Sequence, residues 1–143
     1  MKFYALEPEV TGELHEGTKI DNSTHPPIIS DLHLNLNGWL GDDVFECFPV
    51  YIVTERLMML LGSSVLSGFT FENFVIEFSE EFHDMYPGRK VPKFYWLKVI
   101  GKPGIDDFAL STESLLIISE NAYSSMIHCK LDNCEAVEWK VKE

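Results

Sequence analysis

Basic residues are scarce in this chain of 143: 11 lysines and arginines stand against 23 aspartates and glutamates, a net charge of −12. Nucleic acid and anionic membrane surfaces are bound through a basic footprint, so the balance argues against either as a direct partner. It favours solubility and fast encounter with a basic partner. Long apolar runs are also missing. None approaches the roughly 18 residues that a membrane-spanning helix needs. The opening "MKFYALEPEV" has no apolar h-region and no small-residue cleavage site, so no secretory signal is expected and the expected compartment is the cytoplasm. Cysteine is limited to Cys47, Cys129 and Cys134, an odd number without CxxC spacing. That disfavours a disulfide framework and reads as small buried thiols in a reducing compartment.

Signature motifs are absent too. The histidines at 15, 25, 33, 83 and 128 show no HxxxH or HExxH spacing. No serine sits in a nucleophile elbow, and no glycine loop resembles a phosphate cradle. The motifs therefore predict no catalytic residue, no metal ligand and no cofactor.

What is present describes one packed globule. A hydrophobic content of 45% with 13% aromatics is enough for a single core, and the whole of 1–143 reads as one domain. "FPVYIV" (48–53), "KFYWLKVI" (93–100) and "SLLIIS" (114–119) are short β-branched and aromatic runs, expected as strands. "IISDLHLNLNGWL" alternates as a half-buried strand up to Asn37-Gly38, a hairpin signal after which Trp39 begins a returning strand. "FTFENFVIEF" reads as one strand with an irregularity at 72–74. Thr54, Ser79 and Ser119 are placed as helix N-caps, each followed by glutamate where the helix dipole favours it. The expected class is α+β: a mainly antiparallel sheet with two to four short helices on one face.

Two stretches repeat one phrase. "DDVFECFPVYIVTERL" (42–57) and "DDFALSTESLLIISENA" (106–122) each run from an aspartate pair through an apolar segment to a hydroxyl residue and glutamate. Shifted by 65 positions, Thr54 meets Ser119, Glu55 meets Glu120, Leu57 meets Ala122 and Leu61 meets Met126. Gly68 falls on Asn133, the other residue type tolerant of a left-handed backbone. The match predicts a pseudo-repeat of strand–helix–strand units over about 42–78 and 106–141. The matched positions have structural jobs, so the doubling concerns fold. The aspartates lie in glycine-bearing loops, where turn formation or surface charge is the expected role. Partner contact, metal binding and acid–base work are the alternatives.

The residues of this repeat resemble immunity proteins of bacterial polymorphic and contact-dependent toxin systems. Members of one such group pair a "DDxFxxFPxxIVSERL"-like stretch with a C-terminal "DDFxx…LLVSExA…" stretch. The matching positions here are Asp42, Asp43, Phe48, Pro49, Thr54, Glu55, Arg56, Leu57, Asp106, Asp107, Phe108, Ser119 and Glu120. "HPPI" (25–28) and "FYWLKVIG" (94–101) are similar as well. The resemblance implies a non-enzymatic protein that neutralises a cognate toxin by covering its active site. It carries no toxin-contacting positions over. A toxin with a basic active-site cleft is the partner that the charge of this chain suits. The acids around Asp42, Asp43 and Glu46, those of Glu77, Glu80, Glu81 and Asp84, and Trp39 as an anchor form the expected partner surface. Another cytosolic interaction module, such as an adaptor or accessory protein, and a small metal-dependent hydrolase built on the aspartate loops are the competing readings.

The one basic strip, "GRKVPKFYWLKVIGK" (88–102), holds five bases and no acid. It either pairs with the protein's own groups or forms half of a dipolar docking surface.

Overall fold

A computed structural model describes residues 2–140. In chain order the strands are β1 (Phe3–Glu7), β2 (Glu9–Val10), β3 (Gly12–Leu14), β4 (Lys19–Asp21), β5 (Ile28–Asp31), β6 (His33–Leu36), β7 (Val44–Cys47) and β8 (Val50–Thr54). Helix α1 (Glu55–Gly62) precedes β9 (Phe69–Glu72) and β10 (Val75–Phe78), and α2 (Glu80–Met85) precedes β11 (Phe94–Val99), β12 (Phe108–Leu110) and β13 (Leu116–Ser119). Helix α3 (Glu120–Met126) and β14 (Glu135–Trp139) complete the described chain. Among the described residues the fold is α+β, with mostly antiparallel pairing and three short helices, as expected.

The architecture is more divided than one sheet. A five-stranded sheet, β2-β7-β8-β11-β9, lies between two apolar clusters. Tyr51 and Val53 of β8 enter the cluster that also holds Leu57 and Leu61 of α1, Ala122 and Met126 of α3, and Leu116 and Ile118 of β13. Val50 and Ile52 enter the other cluster, with Leu34, Leu36, Phe82 and Trp96. β8 is thus buried along its whole length. A strand covered on both faces reads as a continuous apolar run, which "VYIV" is. The helices do not share one face as expected: α1 and α3 pack in the first cluster, and Phe82 carries α2 into the second.

Two expected strands are each cut in two. The irregularity at 72–74 is a change of sheet: β9 pairs with β11, whereas β10 pairs in parallel with β6. Leu32 likewise separates β5, which pairs with β4, from β6, which pairs with β3 and β10. Asn37-Gly38 does not make a hairpin. Both amides donate to the Thr11 carbonyl, at 2.8 and 3.1 Å, and Trp39 follows in irregular chain.

The repeated phrase folds the same way twice. Thr54 Oγ1 accepts from the Leu57 amide and Ser119 Oγ from the Ala122 amide, so both hydroxyls cap their helices. The β7–β8 and β12–β13 hairpins precede the two helices, and β9 and β14 follow them. The strand that completes each unit comes from a further repeat. "KFYAL" (2–6) and "KFYWL" (93–97) lie 91 positions apart. β1 sits between β13 and β14, and β11 between β8 and β9. The Glu120 amide donates to the Lys2 carbonyl as the Glu55 amide does to that of Lys93, both at 2.9 Å. The N-terminal strand therefore closes the C-terminal unit. The turn residues depart from the repeat: Gly68 has φ +100°, whereas Ser114 is the only non-glycine with positive φ among the described residues, so Asn133 is not left-handed. Position 141 lies outside the described residues.

Tyr51 ties the units together. Its hydroxyl donates to the Ser114 carbonyl at 2.8 Å and accepts from the Leu116 amide at 3.1 Å, in a site where the side chain is fully buried. Tyr51→Phe leaves a buried N–H and a buried carbonyl without this partner. A loss of about 2 kcal/mol is expected, measured as a lower urea midpoint with an unchanged m-value.

Candidate functional site

The aspartate loops are the first place to look for chemistry, and the structure commits them to holding the chain. Asp43 is buried. Its Oδ1 accepts from Thr54 Oγ1 at 2.7 Å, and its Oδ2 accepts from the Lys130 amide at 2.7 Å and from the Arg56 guanidinium. Asp42, also buried, accepts from the Asn133 amide at 2.7 Å and from Asn133 Nδ2 at 3.2 Å. Asp107 mirrors Asp43: it accepts from Ser119 Oγ at 2.5 Å and from the Ser67 amide at 2.9 Å. Asp43 and Asp107 each hold the cap of their own helix and the chain leaving the other helix, and Asp42 holds the chain beyond α3 alone. Asp106 closes its own loop on the Lys102 amide at 2.8 Å. Burial works to raise the Asp43 carboxyl, but the hydrogen bonds from Arg56, Thr54 and Lys130 outweigh it and hold it below the usual aspartate value.

The expected partner residues therefore do not form one surface. Trp39, Asp42 and Asp43 are buried, and the Trp39 indole N–H donates to the Asp42 carbonyl at 2.9 Å. Trp39 is a core residue that holds the aspartate loop. Glu46 is half-buried, and burial first, then the charge of Glu7, raise its carboxyl. Glu77, Glu80, Glu81 and Asp84 are exposed, the last three on α2.

Three of the five bases of the basic strip lie over aromatic rings. The Arg89 guanidinium lies 4.7 Å from the ring centres of both Trp39 and Tyr86, and its Nη1 donates to the Trp39 carbonyl at 2.7 Å. Lys93 lies over Tyr95, and Lys98 over Trp96 with Glu72 at 3.5 Å. These cations serve the protein's own packing.

Beside Trp39 an open depression of about 590 Å³ is lined by Glu9, Glu13, Val10, Leu40, Met85 and Tyr86, among others. Val10, Leu40 and Met85 are 69%, 56% and 63% exposed, so its apolar parts face solvent. Asp84 adjoins Met85 on α2. Glu9 is fixed by the Leu40 amide, which donates to both of its oxygens at 3.0 and 3.1 Å. The sequence marks the acids of α2 as exposed but gives no sign of Val10, Leu40 and Met85 as a group, because they are scattered singly along the chain and meet only after folding.

Two further groups follow from burial. Burial pushes the Cys47 and Cys134 thiols up to about 11, which keeps them protonated and unreactive at neutral pH. His15 and His33, unrelated in sequence spacing, stack with ring centres 3.8 Å apart beside Glu77. These three side chains are the described residues that could hold a metal ion.

Compared with known protein families, with curated proteins and with solved structures, the chain matches none. No described helix is long and apolar enough to cross a membrane.

Proposed function

We propose that this is a cytoplasmic immunity protein that binds and neutralises a cognate bacterial toxin by occupying a basic active-site cleft. The observation that carries the reading is the depression beside Trp39, in which solvent-facing Val10, Leu40 and Met85 lie with Glu9 and Glu13, next to α2, which carries Met85 together with exposed acids. An apolar centre with a charged rim is the anatomy of a protein-binding surface. The rim has the sign that a basic cleft would attract. The net charge of −12 adds long-range steering, while Arg89, Lys93 and Lys98 of the basic strip lie over the protein's own rings. The aspartate loops, with their oxygens engaged by main-chain donors, favour a structural role over hydrolysis.

The test pairs this protein with the product of the toxin gene beside its own. A one-to-one complex is expected, with an association rate that falls at least about tenfold as ionic strength rises from roughly 0.05 to 0.5 M. Glu81→Lys with Asp84→Lys slows association, whereas Met85→Asp speeds dissociation. Co-expression should restore growth to cells making the toxin. Failure to protect, or binding that ignores both salt and these substitutions, would falsify the reading.

A further inference from the structure

The outer face of the small sheet β10-β6-β3 gathers three metal-ligating side chains, from β6, from β10 and from the residue just past β3. β3 and β6 are antiparallel with Leu14 opposite Leu34, and the His15 amide, just past β3, donates to the His33 carbonyl at 2.8 Å. β6 and β10 are parallel, with Val75 beside His33 and Glu77 beside Asn35. Leu34 and Leu36 point into the core, so alternation turns His33 and Asn35 outward, along with Glu77. The ligand atoms of His15, His33 and Glu77 all lie within 4.8 Å of one another.

The spacing does not suit direct hydrogen bonds. Glu77 Oε2 is 3.4 Å from His15 Nε2 and 3.3 Å from His33 Nε2. Good N–H···O bonds span about 2.7–3.2 Å. His33 Nε2 is buried and makes no hydrogen bond among the described residues. Both separations equal the edge of a tetrahedron with metal–ligand bonds of about 2.0–2.1 Å, an edge of roughly 3.3–3.4 Å. The surroundings hold the pair in place. Thr18 Oγ1 accepts from the His33 amide at 3.0 Å and donates to the His33 carbonyl at 2.7 Å. Gly17 closes so tightly that a Cβ there would lie 3.0 Å from His33 Nδ1 and 3.2 Å from His15 Nδ1.

We propose that His15, His33 and Glu77 form a binding site for one divalent transition-metal ion of the zinc class. Two imidazoles and one carboxylate are the ligand set that suits such an ion, and three protein ligands leave a position for water. The net charge of −12 favours any cation at this surface. The Gly17 amide now donates to His15 Nδ1 at 3.0 Å, which leaves the His15 ring proton on Nε2. Binding at Nε2 moves that proton to Nδ1, breaks the Gly17 bond and fans the two stacked rings apart towards the ion. The site is independent of the toxin-binding reading.

The experiment titrates the full chain, stripped with a chelator, with Zn²⁺ alone by calorimetry at neutral pH. Saturable binding of one equivalent is expected, with a rise in thermal midpoint. Glu77→Gln, an exposed position that leaves the fold intact, should weaken binding by more than about tenfold, and His33→Asn should do at least as much. His128→Ala, at an exposed histidine away from the cluster, should change nothing. In ¹⁵N spectra the Gly17 amide and the Nε2 of both His15 and His33 should shift on loading. No saturable binding, or binding that survives both Glu77→Gln and His33→Asn unchanged, overturns the site.

Discussion

Replacing Asp43 by alanine is expected to destabilise the protein by about 3 kcal/mol and to lower its thermal midpoint by roughly 6–12 °C. The carboxylate is buried and serves three donors at once: the cap hydroxyl of α1, the Lys130 amide beyond α3 and the Arg56 side chain. Alanine leaves the amide and the hydroxyl without that acceptor. Arg56 is 65% exposed and returns to water, so its share of the loss is small. Asp107→Ala removes the equivalent bonds to Ser119 and Ser67 in a more open setting and should cost about half as much. The pH dependence has a definite sign. The folded Asp43 carboxyl lies below its ordinary value, so its contribution is fully present above about pH 4 and is lost as pH falls through the folded value. Urea unfolding at a series of acidic pH values should therefore show a shallower acid slope for Asp43→Ala than for the wild type. A variant as stable as the wild type at neutral pH would remove Asp43 from its place as the joint between the two halves.

Gly68→Ala is expected to cost about 4 kcal/mol or to prevent folding altogether. Two independent effects act at this residue. Its φ of +100° is a conformation that side chains disfavour. A Cβ there would also lie 2.1 Å from the Phe108 carbonyl oxygen, a main-chain atom that cannot swing aside. Gly101 approaches the same oxygen from the neighbouring strand end, again with 2.1 Å to an added Cβ. The Gly68 carbonyl accepts from the Ile100 and Gly101 amides at 2.8 and 3.1 Å, and the Phe108 amide donates to the Ser67 carbonyl at 3.0 Å. The three segments thus meet backbone to backbone, with no space for a methyl group. Gly101→Ala should be slightly milder, because only the contact penalty applies. Gly62→Ala is the control: nothing lies within 4 Å of its added Cβ at the end of α1, and a gain of up to about 1 kcal/mol is expected. Equal stability of Gly68→Ala and Gly62→Ala in chemical denaturation would contradict the close approach.

The candidate surfaces were legible to different degrees. Glu77, Glu80, Glu81 and Asp84 could be read as exposed acids because each lies on the outer side of a short amphipathic element, with Phe78 and Phe82 turned inward. Trp39, Asp42 and Asp43 looked like a surface anchor with charges beside it, yet they are buried. An aspartate pair in a glycine loop carries no local sign of what will reach it. Here the donors are the amides of Lys130 and Asn133, which approach from 87 and 91 residues away.

The amino-acid sequence by itself determined the local events. Thr54, Ser79 and Ser119 start helices because each hydroxyl reaches an amide three residues on. The β-branched runs make strands, and the 65-residue match places two equivalent units. Tertiary structure alone decided which strands meet. The "KFYAL" strand crosses to the C-terminal unit, and "KFYWL" lies in the earlier one. It also decided that His15 stacks on His33 and that Val10, Leu40 and Met85 share one depression. Capping and periodicity act over a few residues and leave a mark on the chain. Pairing across tens of residues is selected by the burial of two apolar clusters, which depends on every strand at once.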